Sequence, residues 1–216
     1  MNDASMLDYY SRRAAEYERI YQIPERQADL ARLRERLRNL LAGRRVLEVA
    51  CGTGYWTALV ADVAASITAT DASEEVLKIA RSKGLDRTRV NLILTDAWRA
   101  REMHGDFDAG FAAFWWSHIP REQIATFLTG FHSALQPGAR VVFADNRFVA
   151  GSSTPVFRTD DHGNSWQLRR LDDGSAQEVL KNFPTRAELL SQIEPHARTA
   201  EIVEFDYFWC LSYELR

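Results

Sequence analysis

The 216-residue sequence predicts an α/β domain built on a parallel sheet with crossover helices. Three observations carry that prediction. Short apolar runs alternate with stretches of helical period through the middle of the chain. The first run enters a glycine turn, Ala50-Cys51-Gly52-Thr53-Gly54, and acids stand at the ends of two later runs, at Asp71 and Asp96.

Taken in order, the chain opens with a helical pattern over 8–21, where Tyr10, Ala14, Tyr17 and Tyr21 fall three or four apart. After Pro24 a second helix places Leu30, Leu33, Leu37 and Leu40 on one stripe, and Gly43 stands where it would stop. Strands are expected at 45–50, 66–71, 90–94, 107–114 and 139–145, with helices at 55–64, 74–83 and 121–135 between them. The crossover at 96–106 is short and irregular. Beyond Asn146 the pattern changes: Asp161-His162-Gly163-Asn164 and Asp172-Asp173-Gly174-Ser175 read as turns, so 151–182 is expected to be a β excursion. Thr185 and Glu188 have capping-box spacing before a helix through Ile193. Phe205, Tyr207, Trp209, Leu211 and Tyr213 then alternate as a closing strand. The layout is thus one domain over 1–216: a helical cap over 1–43, a core over 44–146, the excursion, and a closing helix and strands over 183–216.

Composition narrows the function. With 46% hydrophobic residues the chain can furnish a core, and 27 basic against 30 acidic residues leave a net charge of −3, which builds no field for gathering polyanions. Nucleic acid is therefore not an expected partner. Cys51 and Cys210 lack the spacing of metal ligands or a disulfide framework, so no metal is expected and a reducing cytoplasm suits the chain. The start, MNDASMLDYYSRR, has no leader pattern, and no stretch approaches the roughly 18 apolar residues of a membrane span.

Four features carry chemistry. In Glu48-Val49-Ala50-Cys51-Gly52-Thr53-Gly54 a strand runs into a loop whose backbone a ligand can approach closely; a tight strand-to-helix turn is the plainer reading. Thr57 stands where a dinucleotide-binding turn carries its third glycine, which disfavours a nicotinamide-dependent oxidoreductase. Asp71 can accept hydrogen bonds from ribose hydroxyls or help cap the next helix, and Asp96 can accept from an adenine amino group, with the Ala97 N–H donating to the ring, or simply hold a strand-end turn. In Ala113-Phe114-Trp115-Trp116-Ser117-His118, one of Trp115 and Trp116 is expected to face a substrate cavity, with core packing the alternative for either. His118 is the candidate general base, with a backbone-bonded loop histidine as its alternative.

In this order, the motifs resemble those of the class I S-adenosylmethionine-dependent methyltransferases, especially their small-molecule branch. The resemblance covers roughly residues 9–146 and includes Phe107-Asp108 opening the fourth strand and Leu135-Gln136-Pro137-Gly138-Ala139 before the fifth. It implies a Rossmann-like sheet of seven mostly parallel strands with one antiparallel closing strand. It implies S-adenosylmethionine as cofactor, S-adenosylhomocysteine as product, and a cofactor site from Glu48, Ala50, Gly52, Gly54, Asp71, Ala72, Asp96, Ala97 and Ala113. It further implies an N-terminal helix over the site, from which Arg13 or Tyr17 meets the methionine carboxylate. The expected function is methyl transfer to an O or N atom of a small molecule, by a monomer or homodimer. The alternative is a sensor module that binds the cofactor without turnover.

Overall fold

The computed structural model describes residues 17–170, 174 and 176–216, so most of the first expected helix, Arg13 included, lies outside the described residues. The strands are β1 Arg45–Glu48, β2 Ser66–Asp71, β3 Val90–Leu94, β4 Ala109–Ala113, β5 Arg140–Asn146, β6 Arg158–Thr159, β7 Ser165–Arg170, β8 Ala176–Leu180, β9 Ala197–Glu204 and β10 Phe208–Leu215. The α-helices are α1 Gln27–Leu41, α2 Tyr55–Ala61, α3 Glu74–Ser82, α4 Ile124–His132 and α5 Arg186–Ile193. Seven strands form one sheet in the order β3-β2-β1-β4-β5-β10-β9. Only β10 runs antiparallel to its neighbours, pairing Trp209 with Asp145 on one side and with Glu204 on the other. β6, β7 and β8 make a separate antiparallel sheet, the expected excursion.

Strand residues alternate between two cores. Leu47, Ala112, Val141, Phe143, Trp209 and Leu211 face α4 and α5; Val46, Phe111, Val142, Ala144 and Cys210 face α1 and α2. Apolar side chains are thus needed on both faces of the central strands, which is why they read as continuous runs. The α1 stripe buries Leu30, Leu33, Leu37 and Leu41, with Leu40 only half-buried, because 3.6 residues per turn carry the stripe past position 40. Its arginines do more than face solvent: Arg34 reaches the Tyr55 hydroxyl and Arg38 the Leu59 carbonyl.

Several boundaries differ from expectation. The crossover after β3 is a 3-10 helix, Ala97–Glu102, and the helix expected from 121 begins as a 3-10 turn, Arg121–Gln123, before α4. Phe107 and Asp108 precede β4, where Asp108 Oδ1 accepts the Arg45 N–H at 2.8 Å. β9 carries no apolar alternation because it is an edge strand, with only Ala197 and Ile202 buried. The capping box is formed: Thr185 Oγ1 accepts the Glu188 N–H and Glu188 accepts the Thr185 N–H. Among the described residues, no helix is long and apolar enough to cross a membrane.

Leu33 is completely buried beneath α1, so Leu33→Ala is expected to cost about 2–5 kcal/mol in urea denaturation. A loss below about 1 kcal/mol would mean that α1 is not part of the cooperative core.

Candidate active site

The carboxyl ends of β1, β2, β3 and β4 form one rim. At the end of β1 the chain turns through Ala50 (φ 53°), Gly52 (φ 57°) and Gly54 (φ 75°) into α2, and at the end of β4 Phe114 is also left-handed (φ 60°). Such backbone is costly for residues with a side chain, and its concentration at two neighbouring strand ends marks a functional rim. Gly54 is required sterically, since a Cβ there would lie 2.9 Å from Ala80 Cβ on α3. A Cβ on Gly52 would meet nothing within 4 Å among the described residues, which leaves the loop open to them on that side.

Asp71 braces the loop. Its Oδ2 accepts the Gly52 N–H at 2.8 Å and its Oδ1 the Ser73 N–H at 2.9 Å, while Ser73 itself caps α3. Burial raises the Asp71 pKa against these bonds, and lone pairs remain on both oxygens. Asp96 Oδ1 accepts the Trp98 N–H at 2.9 Å and caps the 3-10 turn, so the plainer local role is present for Asp96, whereas the helix cap expected of Asp71 falls to Ser73. Ala72 follows Asp71 half-buried, Ala97 is the buried first residue of the turn, and Ala113 ends β4 beside Ala144. Beneath the loop Glu48 is 2% exposed, and its Oε2 has no hydrogen-bond partner among the described residues. Burial pushes its carboxyl up to about 8, with the Asp71 charge adding to the effect, so Glu48 holds a proton at neutral pH.

A 3-10 segment, Tyr17–Gln22, lies on this rim. Glu18 Oε1 accepts from Thr53 Oγ1 at 2.6 Å and from Lys83 Nζ at 2.7 Å. Tyr21 stacks on Tyr55 with centroids 3.9 Å apart, accepts from Trp56 Nε1 at 3.0 Å and meets Phe114 edge-on. Glu18 and Tyr21 escaped the sequence reading, since an aromatic or an acid at helical spacing looks like ordinary packing or a solvated face.

Beside the rim, past the end of β5, lies a cavity of about 350 Å³. It is lined by Ile20 and Ile23 from the N-terminal segment, by Asn146, by Ser152–Thr154, and by Gln167, Arg169 and Lys181 from the excursion. His118 lines it too. Its Nδ1 donates to the Leu180 carbonyl at 2.7 Å, which ties the ring to the end of β8. Burial and the Lys181 charge depress its pKa to about 3, so the imidazole is neutral at any working pH. Next to it Lys181 Nζ bonds Ser117 Oγ at 2.6 Å and Asp145 Oδ1 at 3.0 Å, while Asp145 Oδ2 accepts the Ser117 N–H at 2.9 Å. Neither Lys181 nor Asp145 was singled out from sequence; the signal was a lysine and an asparagine inside the apolar run Val179-Leu180-Lys181-Asn182-Phe183.

The tryptophans fall elsewhere. Trp116 packs edge-on against Phe143 and Trp209 in the core, and Trp115 packs against Phe127, so neither lines the cavity beside His118. The 3-10 turn Trp116–His118 causes this, by turning both indoles toward α4 and the sheet. Both cysteines are buried and unpaired.

Comparison with known proteins gives concordant matches. A family model described as "Methyltransferase domain" matches residues 46–138. The ubiquinone biosynthesis O-methyltransferase of Xanthomonas oryzae pv. oryzae is 36% identical over 168 residues, 75% of this chain and 64% of that protein. The demethylmenaquinone methyltransferase of Staphylococcus aureus is 29% identical over 119 residues, 54% of this chain and 47% of its own length. The chain thus spans between about half and two thirds of these curated relatives. Among solved structures, DhpI in complex with SAH superposes with a TM-score of 0.77 at 30% identity, covering 97% of this chain and 94% of DhpI. The DhpI–SAM–HEP complex gives a TM-score of 0.78 at 28% identity, over 97% and 95% of the two chains.

The raised Glu48 pKa makes a stability prediction. A carboxyl titrating near 8 when folded and near 4.5 when unfolded stabilises the fold fully below pH 4.5, and that contribution is lost as pH rises through 8. The stability advantage of the wild type over Glu48→Gln should therefore shrink between pH 5 and 8, by up to about 1.4 kcal/mol per pH unit. Urea titrations of both proteins at pH 5.5, 7 and 8.5 measure it, and a constant difference would place the Glu48 pKa near its ordinary value.

Proposed function

The chain belongs to the class I S-adenosylmethionine-dependent methyltransferases, and from that premise we propose that it methylates an oxygen or nitrogen of a small molecule held in the cavity beside His118. One observation carries the proposal. The segment Tyr17–Ile23 belongs to both places at once: Glu18 and Tyr21 sit on the glycine loop, and Ile20 and Ile23 line the cavity. A cofactor on the loop and an acceptor in the cavity would thus share one roof, which is the proximity that a transfer reaction requires.

The residues present suit S-adenosylmethionine. Gly52 leaves the loop open where a side chain would stand, and Asp71 keeps lone pairs for ribose hydroxyls beside its loop bonds. Glu48, Ala50, Gly54, Ala72, Asp96, Ala97 and Ala113 complete the proposed cofactor site along the same strand ends, and Arg13 and Tyr17 remain proposed partners of the methionine carboxylate. When bound, the cofactor supplies an electrophilic methyl group on a sulfonium. The chain's own part is to orient the acceptor and exclude water. His118 lines the cavity, and a pKa of about 3 suits it to positioning an acceptor rather than to acting as a strong base. The O-methyltransferase named among the relatives supports an oxygen acceptor.

Asp71→Asn should weaken S-adenosylmethionine binding by about 1.5–3 kcal/mol in calorimetry, the usual worth of hydrogen bonds to a charged group. An unchanged affinity in a folded variant would remove Asp71 from the cofactor site. His118→Ala should lower turnover about tenfold to a hundredfold, with no inflection near pH 6.5 in the wild-type rate profile; a general base would lose about a hundredfold or more and show that inflection. Release of S-adenosylhomocysteine across a library of metabolites tests the reaction itself, and its absence with every acceptor from a cofactor-binding protein would leave only cofactor binding.

A further inference from the structure

Two carboxyls lie by the glycine loop, and their hydrogen bonds differ. Asp71 Oδ2 accepts the Gly52 N–H at 2.8 Å and Oδ1 the Ser73 N–H at 2.9 Å, bonds that favour the carboxylate. Glu48 ends β1, the neighbouring strand, and β1 and β2 run parallel with Glu48 beside Ala69, two residues before Asp71. Glu48 is 2% exposed, and its Oε2 accepts no hydrogen bond among the described residues. Two acids this close do not both ionise readily. Asp71, with two backbone donors, carries the charge, and Glu48 carries the proton.

The surroundings keep it there. Burial and the Asp71 charge push the Glu48 carboxyl up to about 8, against a smaller opposing effect of Thr57 on α2. The Cys51 thiol in the loop is itself raised by burial and by Glu48 and Asp71, so it stays protonated and offers no charge. Asp96, at the end of the next strand but one, raises Asp71 further. Across the β1–β4 pair Glu48 stands beside the apolar Phe111. On the roof Glu18 is paired with Lys83 at 2.7 Å. No cation is bonded to Glu48 among the described residues, so it is a buried acid whose missing partner is a positive charge.

S-adenosylmethionine carries a sulfonium and S-adenosylhomocysteine a neutral thioether, so cofactor and product differ by one positive charge and one methyl group. A unit charge within roughly 10 Å of a buried carboxyl lowers its pKa by about one unit or more. We propose that Glu48 tells the cofactor from its product by charge, giving up its proton when a sulfonium lies on the loop above it and keeping it beneath a thioether. This rests on the methyltransferase reading and deepens its cofactor site. The step balances: the Glu48 proton goes to water as S-adenosylmethionine enters. Transfer of the methyl group leaves the C–S electron pair on sulfur, and a proton from water returns to Glu48 once the sulfonium charge has gone. Methyl transfer thereby removes the charge attraction that holds the cofactor, which favours release of the product.

The test is calorimetry of the full chain at pH 7 in buffers of different ionisation enthalpy, which counts the protons released per ligand bound. S-adenosylmethionine should release about half a proton more than S-adenosylhomocysteine. Because binding lowers the Glu48 pKa from about 8, S-adenosylmethionine affinity should rise with pH from 6 to 8 relative to that of S-adenosylhomocysteine. Glu48→Gln, the neutral isostere of the protonated acid, removes this proton source and leaves the ligands' own groups in place. It should abolish the difference in proton release and narrow the preference for S-adenosylmethionine at pH 8 by about fivefold. Equal proton release for the two ligands in the wild type, or the same difference in Glu48→Gln, overturns the proposal. If neither ligand binds the wild type, the methyltransferase premise falls and the proposal with it, an outcome distinct from the first two.

Discussion

The buried pair between Lys181 and Asp145 fixes how the two sheets of this protein meet. Asp145 ends β5, Lys181 follows β8, and the loop after β4 joins them through the Ser117 N–H and hydroxyl. Three segments distant in sequence therefore share one carboxylate. An ion pair taken out of water gains little net stability, but losing either partner strands a buried charge at about 3–5 kcal/mol. The pair thus acts as a register device for the excursion, and neighbouring neutral bonds extend it: Asn182 N–H to the Ser117 carbonyl, Asn182 Nδ2 to the Ile119 carbonyl and to Asn164 Oδ1.

What is held in place is the wall of the cavity beside His118. His118 lies in the same loop, and its Nδ1 bond to the Leu180 carbonyl ties the imidazole to the excursion rather than to the β4 strand that carries it. Its tautomer and its low pKa both follow from the docking of β8. On the other side of the rim the order is reversed. There the cofactor loop is shaped locally, by left-handed backbone at Ala50, Gly52 and Gly54 and by an acid one strand away. One half of the site is therefore encoded by consecutive residues and the other by long-range contact.

This division explains what was legible. The glycine loop, Asp71 and Asp96 could be singled out because parallel strands put successive strand ends on one rim, so short local signals gather there. The strands of the sheet centre were readable from their apolar runs, whereas β9, exposed along most of its length, offered no pattern. The tryptophans were harder to read, because aromatic residues mark cores and cavities alike: Trp116 packs on Phe143 and Trp209 and also lines a second cavity of about 330 Å³ with Arg121 and Glu188.

By itself the sequence determined the α/β class, the order of the central strands' motifs, the cofactor loop, the capping box before α5 and the β character of the excursion, because each depends on residues within a turn or two of one another. Only the tertiary structure decided that Lys181 and Asp145 meet, that Arg158 pairs with Glu178, and that burial beside Lys181 presses the His118 pKa downward. Charge pairing and burial are set by what the folded chain brings alongside, and residues more than a hundred positions apart, such as Arg26 and Ser152, carry no local trace of each other.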